Sequence, residues 1–246
     1  MTIEEQIDEF SSNLSLLDDE IQKYEYIIEL GHELKALDDK YKTDDYKVQG
    51  CQSNVWLLSY EKDKKMYFEA DSDALIVKGL VYILISIYSD QRADDILTTP
   101  KTLLERLGLS QIITSGRQNG VHSVLEKIYL FAQNNKAASM YDLDLIKGKV
   151  IDNLRNIYDP EIPVNIYELG LIYSIDLSIE NGLVICKIDM TLTSAACPVA
   201  ESLFNQVYYA GLVVDEIEEN QVNVVFDPPW SQDKISFEGK LELGLL

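Results

Sequence analysis

The three cysteines of this 246-residue chain are the side chains whose surroundings point most directly to chemistry. Cys51 follows Gly50 in a polar stretch and precedes an apolar run that begins at Val55. A cysteine kept for packing usually lies within an apolar period, because a thiol behaves as a small hydrophobic group. A preceding glycine allows a close backbone approach or a positive φ. The pattern therefore predicts a loop cysteine that another macromolecule can reach, which is the position of a nucleophile.

The other two cysteines have different surroundings. Cys186 is in phase with Val184 and Ile188 in a strand pattern, so it is predicted to lie in the core. Cys197 precedes Pro198 where a strand pattern gives way to a helical one, and proline is favoured at the first helical position. This predicts Cys197 as an N-cap, where unpaired N–H groups and the helix dipole favour the thiolate. The thiolate is the form that attacks electrophiles or binds metal.

Few other groups indicate an activating role. Lys47, His32 or Arg117 could lower the pKa of Cys51 if the fold brings one of them close. His32 and His122 each fall in a helical pattern, where a single histidine is usually an ordinary surface or core residue. The sequence contains no P-loop and no metalloprotease motif.

Composition restricts the partners and the compartment. A net charge of −21 argues against nucleic acid and anionic membranes, because both are bound through clusters of Lys and Arg. The most apolar run, residues 79–88, is much shorter than the ~20 residues that span a bilayer. The acidic N-terminus lacks the features of a signal peptide. Three cysteines without a C-x-x-C spacing cannot form a disulfide framework, so we expect free thiols and a cytoplasmic location.

The apolar patterns predict an α+β protein with two domains, residues 1–138 and 139–246. Each domain is expected to be a small, mainly antiparallel sheet packed with helices. The small and polar residues at 132–139 predict a linker between the domains.

Local patterns predict the individual elements. In the first domain we expect a hairpin over 55–69 and helices over 18–36, 74–88, 101–107 and 117–132. The N-cap of the helix over 74–88 is predicted within 71–73. In the second domain we expect helices over 143–157 and 198–210, a hairpin that turns at 181–182, and separate strands over 213–217 and 222–226.

Four blocks of the N-terminal half resemble those of the SufE family, in the same order. They are residues 26–31 (YIIELG), 50–56 (GCQSNVW), 71–80 (DSDALIVKGL) and 117–120 (RQNG). SufE proteins are sulfur-acceptor partners of cysteine desulfurases in iron–sulfur cluster assembly. The resemblance implies that Cys51 takes a sulfane sulfur from the persulfide of the desulfurase and that Arg117 supports the encounter. The acidic residues before the first block have no role in this interpretation.

The C-terminal half is similar to the SufT-type iron–sulfur maturation domain, a family that also includes the phenylacetate-oxygenase accessory protein PaaD. The matching blocks are residues 159–163 (DPEIP), 167–173 (YELGLIY), 190–193 (MTLT), 197–198 (CP) and 228–230 (PPW). The resemblance implies that Cys197 contacts iron or a nascent cluster, with Asp159 as a further candidate ligand. Many family members have Gly immediately before the Cys-Pro pair, whereas this chain has Ala196.

Together, the resemblances imply a covalent persulfide carrier and desulfurase activator, not a stand-alone enzyme, fused to a cluster-maturation domain. Cys51 would take sulfur from a SufS-type cysteine desulfurase and pass it to a scaffold protein, and the second domain would aid cluster assembly or delivery to apoproteins. No tightly bound cofactor is expected, only a transient iron–sulfur cluster. Three alternatives stay open: a non-catalytic adaptor that brings assembly partners together, a metal or cluster carrier in which Cys197 binds iron across a homodimer, and a sulfur relay for thiolation of tRNA or a cofactor.

Overall fold

The computed structural model describes residues 1–100, 102–110, 112–194 and 199–245. The chain divides into two compact units, Met1–Lys136 and Ala137–Leu246. Each unit combines helices with a β-sheet and has its own apolar core, which confirms the predicted α+β class. No helix in the described ranges is long and apolar enough to cross a membrane.

The first unit packs helices around a β-hairpin. Its elements are α1 (Ile3–Ser15), α2 (Glu20–Glu33), β1 (Val55–Lys62), β2 (Lys65–Ser72), α3 (Leu75–Tyr88), α4 (Ala93–Thr98), α5 (Leu103–Arg106) and α6 (Ser115–Met140). The strands β1 and β2 pair antiparallel, as the alternating pattern predicts. Helix α3 is apolar on most sides, which is typical of a helix that lies inside a core, and Leu80, Leu84 and Ile87 are buried there.

Helix α1 belongs to this core, although the sequence patterns predict no role for the residues ahead of the first SufE-like block. Thr2 and Glu5 form a reciprocal capping box that satisfies two backbone N–H groups at the start of the helix. The side chains of Ile7, Phe10 and Leu14 are buried on one helical face. The acidic segment is therefore an amphipathic helix with a packed apolar side.

The segment 132–139, predicted as a linker, is not a loop, because α6 continues without a break to Met140, and the boundary between the two units falls within this helical segment. This segment contains Ala, Gln and Lys, which are strong helix formers. Ala132 is fully buried, and the Asn135 amide donates a hydrogen bond of 2.5 Å to the Glu61 carboxylate. Helix propensity and these contacts outweigh the loop-like composition.

The second unit packs helices against a mixed sheet in the order β3-β4-β5. Its elements are α7 (Leu143–Leu154), β3 (Ile172–Glu180), β4 (Leu183–Met190), α8 (Ala200–Leu212), β5 (Ile217–Val224) and α9 (Phe237–Glu242). The hairpin between β3 and β4 turns at Asn181 and Gly182, as predicted. Cys186 on β4 is 0% exposed, which confirms its predicted place in the core.

The predicted strands over 213–217 and 222–226 are wrong. Residues 213–216 instead form a turn after α8, and one strand, β5, covers Ile217–Val224 and pairs parallel with β4. A parallel pair needs a long crossover connection, and α8 lies between β4 and β5 in the sequence. This sheet therefore departs from the mainly antiparallel arrangement that the sequence predicts.

Candidate functional site

Cys51 lies in the loop that precedes β1, and its side chain is half-buried. The thiol donates a hydrogen bond to the carbonyl oxygen of Gly120 on α6, with an Sγ···O distance of 3.5 Å. The predicted loop nucleophile is therefore partly screened from solvent in this state.

A cavity of about 110 Å³ adjoins the Cys51 thiol. Most of its wall is apolar and consists of Val55, Val77, Leu80, Val81, Val121 and Val124. Burial raises the pKa of the Cys51 thiol above its ordinary value, because the thiolate would lose hydration. At neutral pH the resting thiol is therefore mainly protonated, which makes it a weak nucleophile.

One face of α6 supports the loop that carries Cys51. Gly116 and Gly120 are one helical turn apart and lie under the loop. A Cβ atom at Gly116 would overlap the side-chain amide of Gln52, so the absence of a side chain allows this close approach. A Cβ at Gly120 would stand 3.5 Å from the Cys51 sulfur.

The same face continues along α6 with Ser123 and Lys127. Gly50 has a φ of +84°, and a Cβ added to it would stand 2.7 Å from the Ser123 hydroxyl oxygen. The Lys127 ammonium donates hydrogen bonds of 3.1 Å to the carbonyl oxygens of Tyr46 and Lys47. Burial lowers the pKa of Lys127. These contacts anchor the N-terminal end of the Cys51 loop.

The other end of the loop is anchored by Asn54. Its backbone N–H and its side-chain amide donate to the two carboxylate oxygens of Asp73, at 3.0 and 2.7 Å. Its carbonyl oxygen accepts a hydrogen bond of 2.8 Å from the Ser72 hydroxyl. The loop therefore has fixed ends on both sides of Cys51.

The acidic block before α3 does not cap that helix in the predicted way. The N-cap residue is Ala74, which makes no side-chain capping bond. The buried carboxylate of Asp71 instead forms ion pairs with Lys42 at 3.0 Å and Lys78 at 2.9 Å. These pairs connect the segment before the Cys51 loop to β2 and α3.

Of the groups proposed to activate Cys51, the structure brings Arg117 to the cavity wall. His32 lies in the last turn of α2 and is exposed, and His122 is exposed on α6. The Lys47 carbonyl serves as an acceptor for Lys127. Sequence reasoning missed the contributions of Lys127 and Asn54. The helical spacing along α6 was visible, but only tertiary packing shows that this face meets the loop.

In the second unit, Cys197 lies outside the described residues. Asp159 is buried, and its Oδ1 atom accepts hydrogen bonds from the backbone N–H groups of Glu161 and Ile162 at 2.9 and 3.0 Å. Its carboxylate therefore holds the 159–163 turn together. Across the described ranges, no group of three or more His, Cys, Asp and Glu side chains is arranged to hold a metal ion.

Two other family blocks of this unit meet through polar contacts. The nearly buried carboxylate of Glu168 accepts a hydrogen bond of 3.1 Å from Arg155 and another from the Ser236 hydroxyl. The Trp230 indole N–H donates to the carbonyl oxygen of Leu169 at 2.8 Å. The Trp230 bond joins the YELG and PPW blocks, which are distant in sequence.

Comparison with known proteins gives matches for both halves of the chain. A family model described as "Fe-S metabolism associated domain" (SufE) matches residues 8–132, and one described as "Iron-sulfur cluster assembly protein" matches residues 147–224. The cysteine desulfuration protein SufE of Wigglesworthia glossinidia brevipalpis is 37% identical over 117 residues, which are 47% of this chain and 81% of that protein.

The second half has its own relatives. The Fe-S protein maturation auxiliary factor SufT of Staphylococcus aureus (strain USA300) is 37% identical over 89 residues, which are 36% of this chain and 98% of that protein. The crystal structure of a domain of unknown function, DUF59, from Bacillus anthracis is 36% identical, with a TM-score of 0.36, and the match covers 42% of this chain and 95% of that one. The chain therefore belongs to the SufE family in its N-terminal half and to the SufT-like iron–sulfur cluster assembly proteins in its C-terminal half, and it functions in iron–sulfur cluster assembly.

Proposed function

We propose that Cys51 accepts a sulfane sulfur from the persulfide of a SufS-type cysteine desulfurase, stimulates that enzyme and passes the sulfur to a cluster scaffold protein. The observation that carries this proposal is the position of the thiol beside a small, mainly apolar cavity with Arg117 in its wall. Such a cavity suits the neutral –S–SH group of a Cys51 persulfide, because neutral sulfur groups behave as small hydrophobic groups.

The transfer is a thiol exchange without net oxidation. The Cys51 thiolate attacks the outer sulfur of the donor persulfide and forms a new S–S bond. The S–S bond of the donor breaks, and its electron pair stays on the donor cysteine as a thiolate. The products are a Cys51 persulfide and a donor cysteine that is ready for the next turnover.

Docking of the donor would also activate Cys51. At rest, burial raises the pKa of this thiol, so little thiolate is present at neutral pH. If the loop presents Cys51 to the desulfurase, the sulfur leaves its apolar surroundings and its pKa moves toward the ordinary value. The carrier would then react with its partner and stay protected from other electrophiles.

The C-terminal unit is proposed to aid cluster assembly or delivery to recipient apoproteins. The cluster would be cargo, with Cys197 as a transient contact and no tightly bound cofactor. Asp159 is a poor choice as a ligand, because one of its carboxylate oxygens already accepts two backbone hydrogen bonds. A free Cys51 thiol requires a reducing compartment, which agrees with a cytoplasmic location.

The decisive variant is Cys51→Ser, tested with the desulfurase and free cysteine in a turnover assay. We expect wild type to stimulate alanine formation and Cys51→Ser to abolish the stimulation. Cys186→Ala serves as the control, because Cys186 is buried in the second core and should leave stimulation unchanged. Full stimulation by Cys51→Ser would instead favour a non-catalytic adaptor.

The role of Cys197 is tested separately by anaerobic reconstitution with iron and sulfide. We expect Cys197→Ala to bind less iron than wild type, whereas Asp159→Asn should bind as much. Equal iron binding by Cys197→Ala and wild type would contradict the proposed contact.

A further inference from the structure

Arg117 needs a partner to hold its guanidinium in one place. It lies in the first turn of α6, and its backbone N–H donates to the Thr114 carbonyl oxygen at 2.9 Å. This bond fixes the backbone but leaves the side chain free to rotate. A free arginine side chain samples many rotamers, so it would occupy the cavity wall only part of the time.

Tyr24 on α2 supplies that partner. The Arg117 Nη1 atom donates a hydrogen bond of 2.9 Å to the Tyr24 hydroxyl oxygen. The guanidinium carbon also lies 5.9 Å from the centre of the Tyr24 ring, within the range of a cation–π interaction. Tyr24 itself is not among the residues that form the cavity wall, so its contact with the site passes through Arg117.

The chemical type of this partner is informative. The chain has 42 acidic residues, yet within the described ranges no carboxylate forms an ion pair with Arg117. A carboxylate would fix the guanidinium equally well but would neutralise it. A phenol accepts one of the five N–H donors and leaves the positive charge and the remaining donors available.

On the basis of the sulfur-acceptor function proposed above, we propose that Tyr24 is a positioning residue that holds the Arg117 guanidinium, oriented and unneutralised, in the wall of the Cys51 cavity. The guanidinium then meets an anionic group of the sulfur donor, such as a carboxylate near its persulfide, as the donor approaches Cys51. Tyr24 acts on the encounter and not on the exchange of sulfur.

The test is a titration of the full chain against the desulfurase with Tyr24→Phe, which keeps the ring and removes the hydroxyl. We expect the half-saturating concentration to rise about threefold to tenfold, as the loss of one hydrogen bond implies, with the maximal rate unchanged. Tyr26→Phe is the matched control, because Tyr26 lies on the same helix and its hydroxyl contacts Asn13 at 3.4 Å. This control should behave as wild type.

A double-mutant cycle separates positioning from a general structural effect. In an Arg117→Ala background, Tyr24→Phe should cause no further change in the half-saturating concentration. The positioning role of Tyr24 would be overturned if Tyr24→Phe had an equal effect with and without Arg117, or if the single variant gave a wild-type titration curve. Either result would leave the proposed function of Cys51 unaffected. If wild type itself takes no sulfur onto Cys51, both this role and the proposed function fail.

Discussion

Cys51 combines a proposed nucleophilic role with a half-buried thiol. Burial beside the apolar cavity raises its pKa, while the hydrogen bond to the Gly120 carbonyl holds the proton in place. A thiol of this kind reacts slowly at neutral pH, because little of it is thiolate. Under the proposed function, access to the sulfur would therefore control its reaction with the donor.

The first prediction concerns the pH dependence of Cys51 alkylation. Because its pKa is raised, the rate of modification by iodoacetamide should reach its midpoint at a higher pH than the ~8.5 of a free cysteine. Peptide mass spectrometry over a pH series would follow Cys51 separately from the other thiols. A midpoint below that of a free cysteine would contradict the buried resting state.

The loop and helix α6 act as one unit in the placement of this thiol. Gly50 contributes a backbone conformation that side chains rarely adopt, and Lys127 holds the carbonyl groups at the start of the loop. Asn54 fixes the far end through Asp73. Movement of Cys51 must therefore be local, between these two anchors.

The second prediction is that Gly50→Ala loosens the loop. The positive φ should cost about 1–2 kcal/mol with a side chain present, and the new Cβ would crowd the Ser123 hydroxyl. We expect lower stability of the first unit, measured by Trp56 fluorescence in denaturant, and faster alkylation of Cys51.

The control for this variant is Gly148→Ala in helix α7, where an added Cβ meets no atom within 4 Å. Helix propensity should then raise the stability of the second unit by up to about 1 kcal/mol, with Cys51 unaffected. Unchanged stability and alkylation in Gly50→Ala would show that the loop tolerates a side chain at this position.

Asp71 gives the first unit a pH-dependent contribution to stability. Burial opposes ionisation of this carboxyl, but hydrogen bonds from Lys78, Lys42 and the Ser72 N–H outweigh that cost, so its pKa is lower than usual. A lowered pKa in the folded state means that the unfolded chain binds the proton more tightly. The contribution of Asp71 to the free energy of unfolding is therefore complete above pH ~3.9, the ordinary pKa of an aspartate. It is lost as the pH falls through the lower pKa of Asp71 in the folded state.

The third prediction follows from the lowered pKa of Asp71 in the folded state. The difference in unfolding free energy between wild type and Asp71→Asn should be about 1–3 kcal/mol near neutral pH and should shrink below about pH 4. This difference is measured by urea unfolding at several pH values, with Trp56 fluorescence as the signal. Asp94→Asn, which removes an exposed ion pair with Lys136, should show a smaller change at neutral pH. A wild-type advantage that persists undiminished in acid would contradict the assignment.

Local signals predicted some of these elements well and failed for others. The β1–β2 hairpin and the buried Cys186 follow from alternation, because burial of one face dictates that pattern, and helix α3 follows from its long apolar run. The end of α6 was missed because small polar residues suit loops as well as helices. Two strands are predicted in place of β5 because the four polar residues at 218–221 interrupt the apolar alternation, whereas parallel pairing with β4 keeps them extended.

In the site, too, some residues can be identified from short sequence blocks, whereas others are recognised only from contacts in the folded chain. Cys51 and Arg117 were identified from their blocks, and the structure places both at one cavity. The contacts of Lys127, Asn54 and Tyr24 could not be predicted, because each joins segments that are far apart in the chain.

The whole chain joins two families of iron–sulfur assembly proteins, each on its own apolar core. If the first unit carries sulfur as proposed, the covalent connection keeps the maturation domain at high effective concentration relative to it. Both activities would serve the same pathway, and the central claim is that sulfur enters it through Cys51.

Intact and peptide mass spectrometry of the full chain tests this claim most directly, after brief exposure to a cysteine desulfurase and free cysteine without reductant. We expect a gain of one sulfur atom, located on Cys51 and absent from Cys51→Ser. A gain on Cys197 instead would move the chemistry to the second unit. No gain on any cysteine, with a desulfurase that charges a known acceptor in parallel, would contradict the sulfur-carrier function.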